Sequence, residues 1–272
     1  MILSFESMKQ NHPIPRSRTI LCLALLAGGA LFAADPNPDG WVVAVGQWTR
    51  GQQVLRQYDA VFANDKLQGT SGTIVVALKD GQSPHPYHCD KFPCTVVIPG
   101  FRPVEDSLFA RLGRAFSELA SHRDSMPVSA ISRGRSRGRL RQAVLPFNGG
   151  QLDLKDAAGS IDAGTYTVSL RPIKTAPSTA QGPLRGSVHW DPPEVTSASF
   201  PALAPGIYEL TMASSEGDSV GSVAVLVSSA ADYPARRESF EAGVQSLPRD
   251  LDRVTLEAFL NALLFDVGTG SK

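Results

Sequence analysis

The residues best equipped for chemistry fall in two short stretches. The first, Gly134-Arg135-Ser136-Arg137-Gly138, satisfies G-x-S-x-G, the pattern that lifts a nucleophilic serine on a sharp strand-to-helix turn. That turn needs a helix behind it, and only Arg139 to Leu145 separate the motif from Pro146. His189 is the single histidine downstream, so acyl transfer by Ser136 is the lesser expectation. The same residues carry Arg133, Arg135, Arg137, Arg139 and Arg141 in strict alternation. In an extended segment these guanidinium groups would project to one side, forming a ladder of bidentate donors for carboxylate or phosphate. Like charges on one strand face repel, so a solvated loop is the plainer outcome of the same pattern. The second stretch holds His85, His88, Cys89 and Cys94, four donors in ten residues that could ligate a metal. His88 and Cys89 are adjacent, however, and structural zinc sites draw on separated knuckles. A local Cys89–Cys94 disulfide is the expectation in an oxidising compartment, with metal as the alternative.

That compartment is read from the N-terminus. Lys9, Arg16 and Arg18 precede an uncharged apolar run, Ile20 to Phe32, which ends in Ala33-Ala34. A basic region, a short apolar core and small residues describe a secretory signal peptide over residues 1–33. The run has 13 residues, short of the roughly 20 that a spanning helix needs. Cleavage would change the charge account: 26 bases and 26 acids in the whole chain become 23 and 25. Residues 100–142 hold nine Arg against four acids, while 143–272 hold nine bases against fifteen. No global positive field exists to gather nucleic acid. The expected partner of an exported chain is an unidentified protein or an anionic envelope polymer; if the Arg-rich stretch binds, export favours an anionic polymer or an acidic protein over nucleic acid. No Walker loop, dinucleotide fingerprint, H-E-x-x-H or EF-hand loop occurs after residue 33, so no cofactor is expected.

The elements that must position these residues are mostly strands. Hydrophobic residues make up 42% of the chain, enough for a packed core, and 24 Gly and 20 Pro predict many turns. Trp41–Val45, Val54–Phe62, Thr73–Lys79 and Thr95–Ile98 read as strands, with stops at Gly46, Asn64-Asp65, Asp80-Gly81 and Pro99-Gly100. Residues 104–122 break this texture. Leu108, Leu112, Ala115, Phe116 and Leu119 predict an amphipathic helix capped by Asp106 or Ser107. A second β region offers Val128–Ile131, Ala143–Pro146, Thr165–Leu170, Val188–Trp190, Ser197–Leu203, Ile207–Met212 and Ser222–Val227. About seven strands at this spacing fit a β-sandwich. Two helices follow: Asp232 to Val244, then one after Pro248 whose stripe is Leu251, Val254, Phe259, Leu260, Leu263 and Leu264. They are expected to cap the sandwich.

Gly46-Gln47-Trp48, Leu55 to Val61, Asp65-Lys66-Leu67, Gly72-Thr73-Ile74 and Leu78-Lys79-Asp80-Gly81 resemble the strand pattern of FecR-like domains. The resemblance covers residues 41–82 and implies an exported bacterial β-domain engaged in sensing or protein contacts. It stops short of the Cys89–Cys94 stretch and does not extend to a signal-transducing role. Asp162-Ala163-Gly164-Thr165-Tyr166-Thr167-Val168 and Ala204-Pro205-Gly206-Ile207-Tyr208-Glu209-Leu210 each set a Gly two residues before a Tyr at a strand start. Both resemble strands of exported immunoglobulin-like domains. The expected architecture is therefore mainly β. It has a small FecR-like unit over 34–100, a linking helix over 101–125, an immunoglobulin-like sandwich over 126–230 and a helical cap over 231–272. The expected role is non-catalytic interaction or scaffolding in the bacterial envelope.

Overall fold

A computed structural model describes residues 37–127, 139–158, 161–175 and 182–270. The chain is mainly β, with two sheets and a few helices. The first sheet holds β1 (Gly40–Arg50), β2 (Gln53–Val54), β3 (Ala60–Val61), β4 (Lys66–Leu78), β5 (His85–Tyr87) and β6 (Cys94–Val97). Long antiparallel strands β1 and β4 form its centre. Short β2 and β3 line the outer edge of β1, and β5 and β6 line that of β4. Side chains alternate about this sheet as the pleat requires. Val42, Trp48, Leu67, Ile74, Val76 and Leu78 point into its own core, while Trp41, Val43, Val75 and Ala77 point to the opposite face.

Two sequence signals meant something other than a stop. Gly46 does not end β1. A side chain there would meet the Ser71 carbonyl oxygen at 2.5 Å, and the register slips between Val45 and Gln47, so this glycine serves a bulge. The run from Val54 to Phe62 is not one strand. Tyr58 has φ 70°, in the left-handed region where a non-glycine residue cannot extend a strand, and the run divides there into β2 and β3.

The helix expected over 104–122 forms as α1 (Leu108–Arg111) and α2 (Gly113–His122), with Ser107 accepting from the Ala110 amide as N-cap. The second sheet comprises β7 (Ala143–Asn148), β8 (Gln151–Asp153), β9 (Gly164–Thr175), β10 (Leu184–Trp190), β11 (Ser197–Ser199), β12 (Gly206–Ser214) and β13 (Ser219–Ser229). A short helix, α3 (Lys155–Ala158), follows β8. The strand order is β10-β9-β12-β13-β7-β8-β11, antiparallel except for the parallel β13/β7 pair. The sheet curls until its two ends meet, with Gly186 of β10 close under the Phe200 ring and the Ser199 carbonyl. The facing halves enclose Leu145, Tyr166, Leu170, Trp190, Phe200 and Met212 in a sandwich-like core. Six of the seven expected strands map onto these elements; Val128–Ile131 lies outside the described residues. The two Gly-x-Tyr segments are alike in structure. Tyr166 donates to the Asp162 carbonyl at 2.9 Å, and Tyr208 donates to the Ala204 carbonyl at 2.8 Å. Each hydroxyl ties its strand back to the turn four residues earlier.

The last helices are α4 (Tyr233–Gln245) and α5 (Arg253–Thr269). Asp252 caps α5, accepting from the Val254 and Thr255 amides, and Gly270 closes it with φ 64°. These helices do more than cap one sheet. α5 packs against α2, α4 and β1 and also against β12 and β13, so it lies between the two sheets. Its buried residues, Thr255, Ala258, Phe259, Asn261, Ala262, Leu263, Leu264 and Phe265, cover more than one face, as expected for an enclosed helix. Phe259 stacks on Phe109 at 5.1 Å and meets Phe116 edge-on at 5.7 Å. Lys174 of β9 pairs with Glu118 of α2, and Arg171 donates to the Ser125 carbonyl at 3.0 Å, tying the second sheet to the helical layer. The described residues from Asn37 onward form one compact unit. None of its helices is long and apolar enough to cross a membrane.

Candidate functional site

The structure deals with the two chemical stretches differently. Cys89 and Cys94 are joined as a disulfide, closing the connection between β5 and β6. The two histidines beside them have other partners. His85 Nε2 lies 2.7 Å from Asp80 Oδ2, and His88 Nδ1 lies 2.9 Å from Thr73 Oγ1. The four donors therefore do not converge, and the described residues contain no group of three or more His, Cys, Asp and Glu placed to hold a metal.

Ser136, Arg133, Arg135 and Arg137 lie outside the described residues. The remaining members of the alternation, Arg139 and Arg141, precede β7, and both are exposed. Arg141 turns toward α3: its amide donates to the Ala157 carbonyl at 2.9 Å and its Nε to the Asp156 carbonyl at 2.6 Å. The histidines that a serine nucleophile would need stand on separate elements. His189 of β10 sits 3.3 Å from Thr165 Oγ1, and His122 at the end of α2 lies against the Phe265 ring.

Arg141 borders a cleft of about 340 Å³ between α4 and β7, with Phe240, Val244 and Leu260 below it. Its charged rim is occupied with itself. Arg237 meets Glu241 at 2.7 Å and Asp156 at 3.6 Å, and Tyr233 donates to Asp156 at 2.7 Å. Burial, the Asp156 hydrogen bond and the Asp156 charge together push the Tyr233 hydroxyl up to about 12, against the lowering effect of Arg237.

A second cleft, of about 370 Å³, opens where the first sheet, α5 and the second sheet meet. Its lining is mixed: Met126, Val223, Val254 and Ala258 are apolar, Arg123, Glu257, Gln57 and Gln142 are charged or polar, and Tyr58 and Asn261 lie buried beneath. Tyr58 is 2% exposed and Asn261 7%. Asn261 Nδ2 donates to the Tyr58 hydroxyl at 3.3 Å, and Asn261 Oδ1, itself buried, has no hydrogen-bond partner among the described residues. Burial pushes the Tyr58 hydroxyl up to about 12; the Asn261 bond opposes this and the Glu257 charge adds to it. The left-handed backbone of Tyr58 is held from both sides. Its amide donates to the Val42 carbonyl at 2.7 Å, and Arg123 spans the Gln57 carbonyl at 3.2 Å and Asp59 at 2.7 Å. This arrangement does not suit nucleophilic chemistry at neutral pH, because a phenol with so high a pKa keeps its proton.

Sequence reasoning missed this cleft. Its residues come from positions near 58, 123, 222 and 258, which no local pattern connects. One signal was present: Asn261 is a lone amide among Phe259, Leu260, Ala262, Leu263 and Leu264. No family model, curated protein or solved structure matches this chain.

Proposed function

We propose that this chain is an exported, non-catalytic interaction protein of the bacterial cell envelope. The observation that carries the reading is the Cys89–Cys94 disulfide, a bond that persists in oxidising compartments and is rare in reducing ones. It agrees with the basic and apolar pattern of residues 1–33. Further support comes from the FecR-like strand pattern of residues 41–82 and from the matched Tyr166 and Tyr208 hydrogen bonds. A tyrosine bonded back to the chain a few residues upstream is a device of immunoglobulin-like sandwiches. The Arg133–Arg141 stretch supplies contact with an acidic protein or anionic polymer, and its effect falls as salt screens it.

Expression of the tagged full-length chain in a two-membrane bacterium tests the reading. The expected product is periplasmic, begins near Asp35 and resists alkylation at both cysteines until reduced. A cytosolic product that retains residues 1–33 and has two alkylatable thiols overturns it. Changing Arg135, Arg137 and Arg139 to Ser should abolish salt-sensitive retention on an anionic polymer, and unchanged retention removes the role assigned to the stretch.

A further inference from the structure

We propose that the Cys89–Cys94 bridge is an exchange site for a dithiol: it opens and closes on the folded chain, and opening frees the loop that carries Phe92. The inference goes beyond the interaction reading above and rests on the disulfide alone. It depends on neither the arginine stretch nor export, and it adds a reaction and the chemical class of its co-substrate.

The argument begins with what holds each end of the loop. β5 lies on β4 through the pairs Ile74↔Tyr87 and Val76↔His85, and two side-chain bonds flank it, His85 to Asp80 at 2.7 Å and His88 to Thr73 at 2.9 Å. β6 pairs with β4 from Lys66↔Val97 to Gly69↔Cys94. Just beyond it, the Ile98 amide donates to the Asp65 carbonyl at 2.9 Å and the Asn64 amide to the Ile98 carbonyl at 2.8 Å. Tyr87, Val96 and Ile98 also belong to the core of the first sheet. Both strands are therefore anchored without the bridge.

The loop between them is not. Asp90, Lys91, Phe92 and Pro93 are all exposed and form no hydrogen bond or ion pair with the described residues. The bridge, closed over a separation of 5, is what ties this segment down. Phe92 is 42% exposed and is the one exposed Phe, Tyr or Trp among the described residues. A closed loop holds that ring in a narrow range of positions, so the state of the bridge sets how far the ring is preorganised for contact. Cys89 and Cys94 both retain solvent exposure, so attack on the bridge does not require the sheet to open. One thiolate of the dithiol attacks a bridge sulfur, forming a mixed disulfide and releasing the other cysteine as a thiolate. The second thiolate of the reagent then displaces the bound cysteine. The chain gains two electrons and two protons, and the dithiol leaves as a disulfide.

The test takes the purified, oxidised full-length chain with dithiothreitol as probe. Free thiols are trapped by alkylation, and peptide mapping confines the count to Cys89 and Cys94. Both should be reduced in native buffer, and oxidised glutathione should restore the bridge. The reduction rate should change by less than about twofold as urea is raised toward, but not into, the unfolding transition. A bond opened only through global unfolding would instead be reduced faster with each increment of urea, following the unfolded population. Amide NMR of the reduced chain should show shifts confined to residues 88–95, with exchange protection kept at 66–69 and 74–76 of β4. Cys89→Ser/Cys94→Ser should reproduce the reduced spectrum. Resistance to dithiothreitol, a urea-accelerated rate, or lost protection along β4 overturns the proposal and makes the bridge a fixed staple of the sheet. A fixed staple leaves the export reading standing, and failed export leaves the exchange reading standing, because the assay begins from oxidised chain in vitro.

Discussion

Phe259→Ala is the change that most directly tests whether the three hydrophobic cores are one cooperative structure. Phe259 is fully buried on α5, between the Phe109 and Phe116 rings. A buried phenylalanine removes roughly 150–250 Å² from water. At about 25 cal/mol per Å² that is roughly 4–6 kcal/mol, of which the alanine methyl keeps a small part. The better helix propensity of alanine returns about 0.5 kcal/mol. A net loss near 4 kcal/mol agrees with the ~3–5 kcal/mol typical of Phe→Ala in cores. For a chain of this length each kcal/mol moves the midpoint by roughly 2–4 °C, so the expected fall is on the order of 10 °C. The three tryptophans report where the loss is felt. Trp41 lies in the core around α5, Trp48 in the core of the first sheet and Trp190 in the core of the second. With 5-fluorotryptophan incorporated, each gives a separate 19F signal through the melt. Because α5 contacts β1, β12 and β13, all three should lose native intensity together at the lower temperature. A Trp190 signal that melts at its original temperature while Trp48 moves would refute the reasoning, showing that α5 belongs to one sheet only.

Three further outcomes follow from local geometry. Replacing Cys89 and Cys94 by Ser removes a loop closed over a separation of 5, which should lower stability by about 2 kcal/mol in denaturant titration; full retention would show that the bridge constrains nothing. Tyr58 has its pKa raised to about 12 in the fold, so its contribution is complete below the unfolded value near 10 and is lost as pH rises from 10 toward 12. Tyr58→Phe should therefore flatten the alkaline stability profile in that window, and an unchanged slope would contradict the assignment. Asp252→Ala removes the α5 N-cap and its bonds from Val254 and Thr255, at about 1–2 kcal/mol, and Asp252→Asn should recover part of the loss. Equal midpoints for wild type and Asp252→Ala would show that tertiary packing alone fixes the start of α5.

What was legible in the sequence was local. Alternation marked most strands, and the Leu108–Leu119 spacing with Ser107 marked a capped helix. The two Gly-x-Tyr segments announced a repeated strand start whose hydrogen bonds are the same in both copies. Where local signals misled, a tertiary contact had reassigned them. Gly46 reads as a stop, yet it permits the close approach of Ser71 that lets β1 continue to Arg50. The apolar stripe on α5 includes Val254, which is exposed, and omits Asn261, which is buried. A stripe presumes one buried face, and a helix between two sheets has several. The parallel β13/β7 pair joins strands far apart in sequence through no local feature, and the cleft depends on it: Val223 of β13 and Gln142 beside β7 both line it.

Four buried polar atoms lack partners among the described residues: Trp41 Nε1, Tyr87 Oη, Ser228 Oγ and Asn261 Oδ1. They are not equivalent. The Trp41 ring has the Lys79 ammonium 5.1 Å from its centroid and packs on Phe116, so its position follows from apolar contact whatever its N–H does. Asn261 has no such reason to be polar. On an enclosed helix a leucine would bury more apolar surface and leave no acceptor unpaired, a defect worth roughly 1–3 kcal/mol. Its partner among the described residues, Tyr58, carries a second local penalty, a left-handed backbone of about 1–2 kcal/mol. Two independent departures from the locally favoured choice thus meet at one hydrogen bond, and that bond forms the floor of a cleft. Departures scattered through a fold read as tolerated imperfections. Departures that coincide at one buried bond are a concentrated local cost, which the packing of α5 between the two sheets must offset.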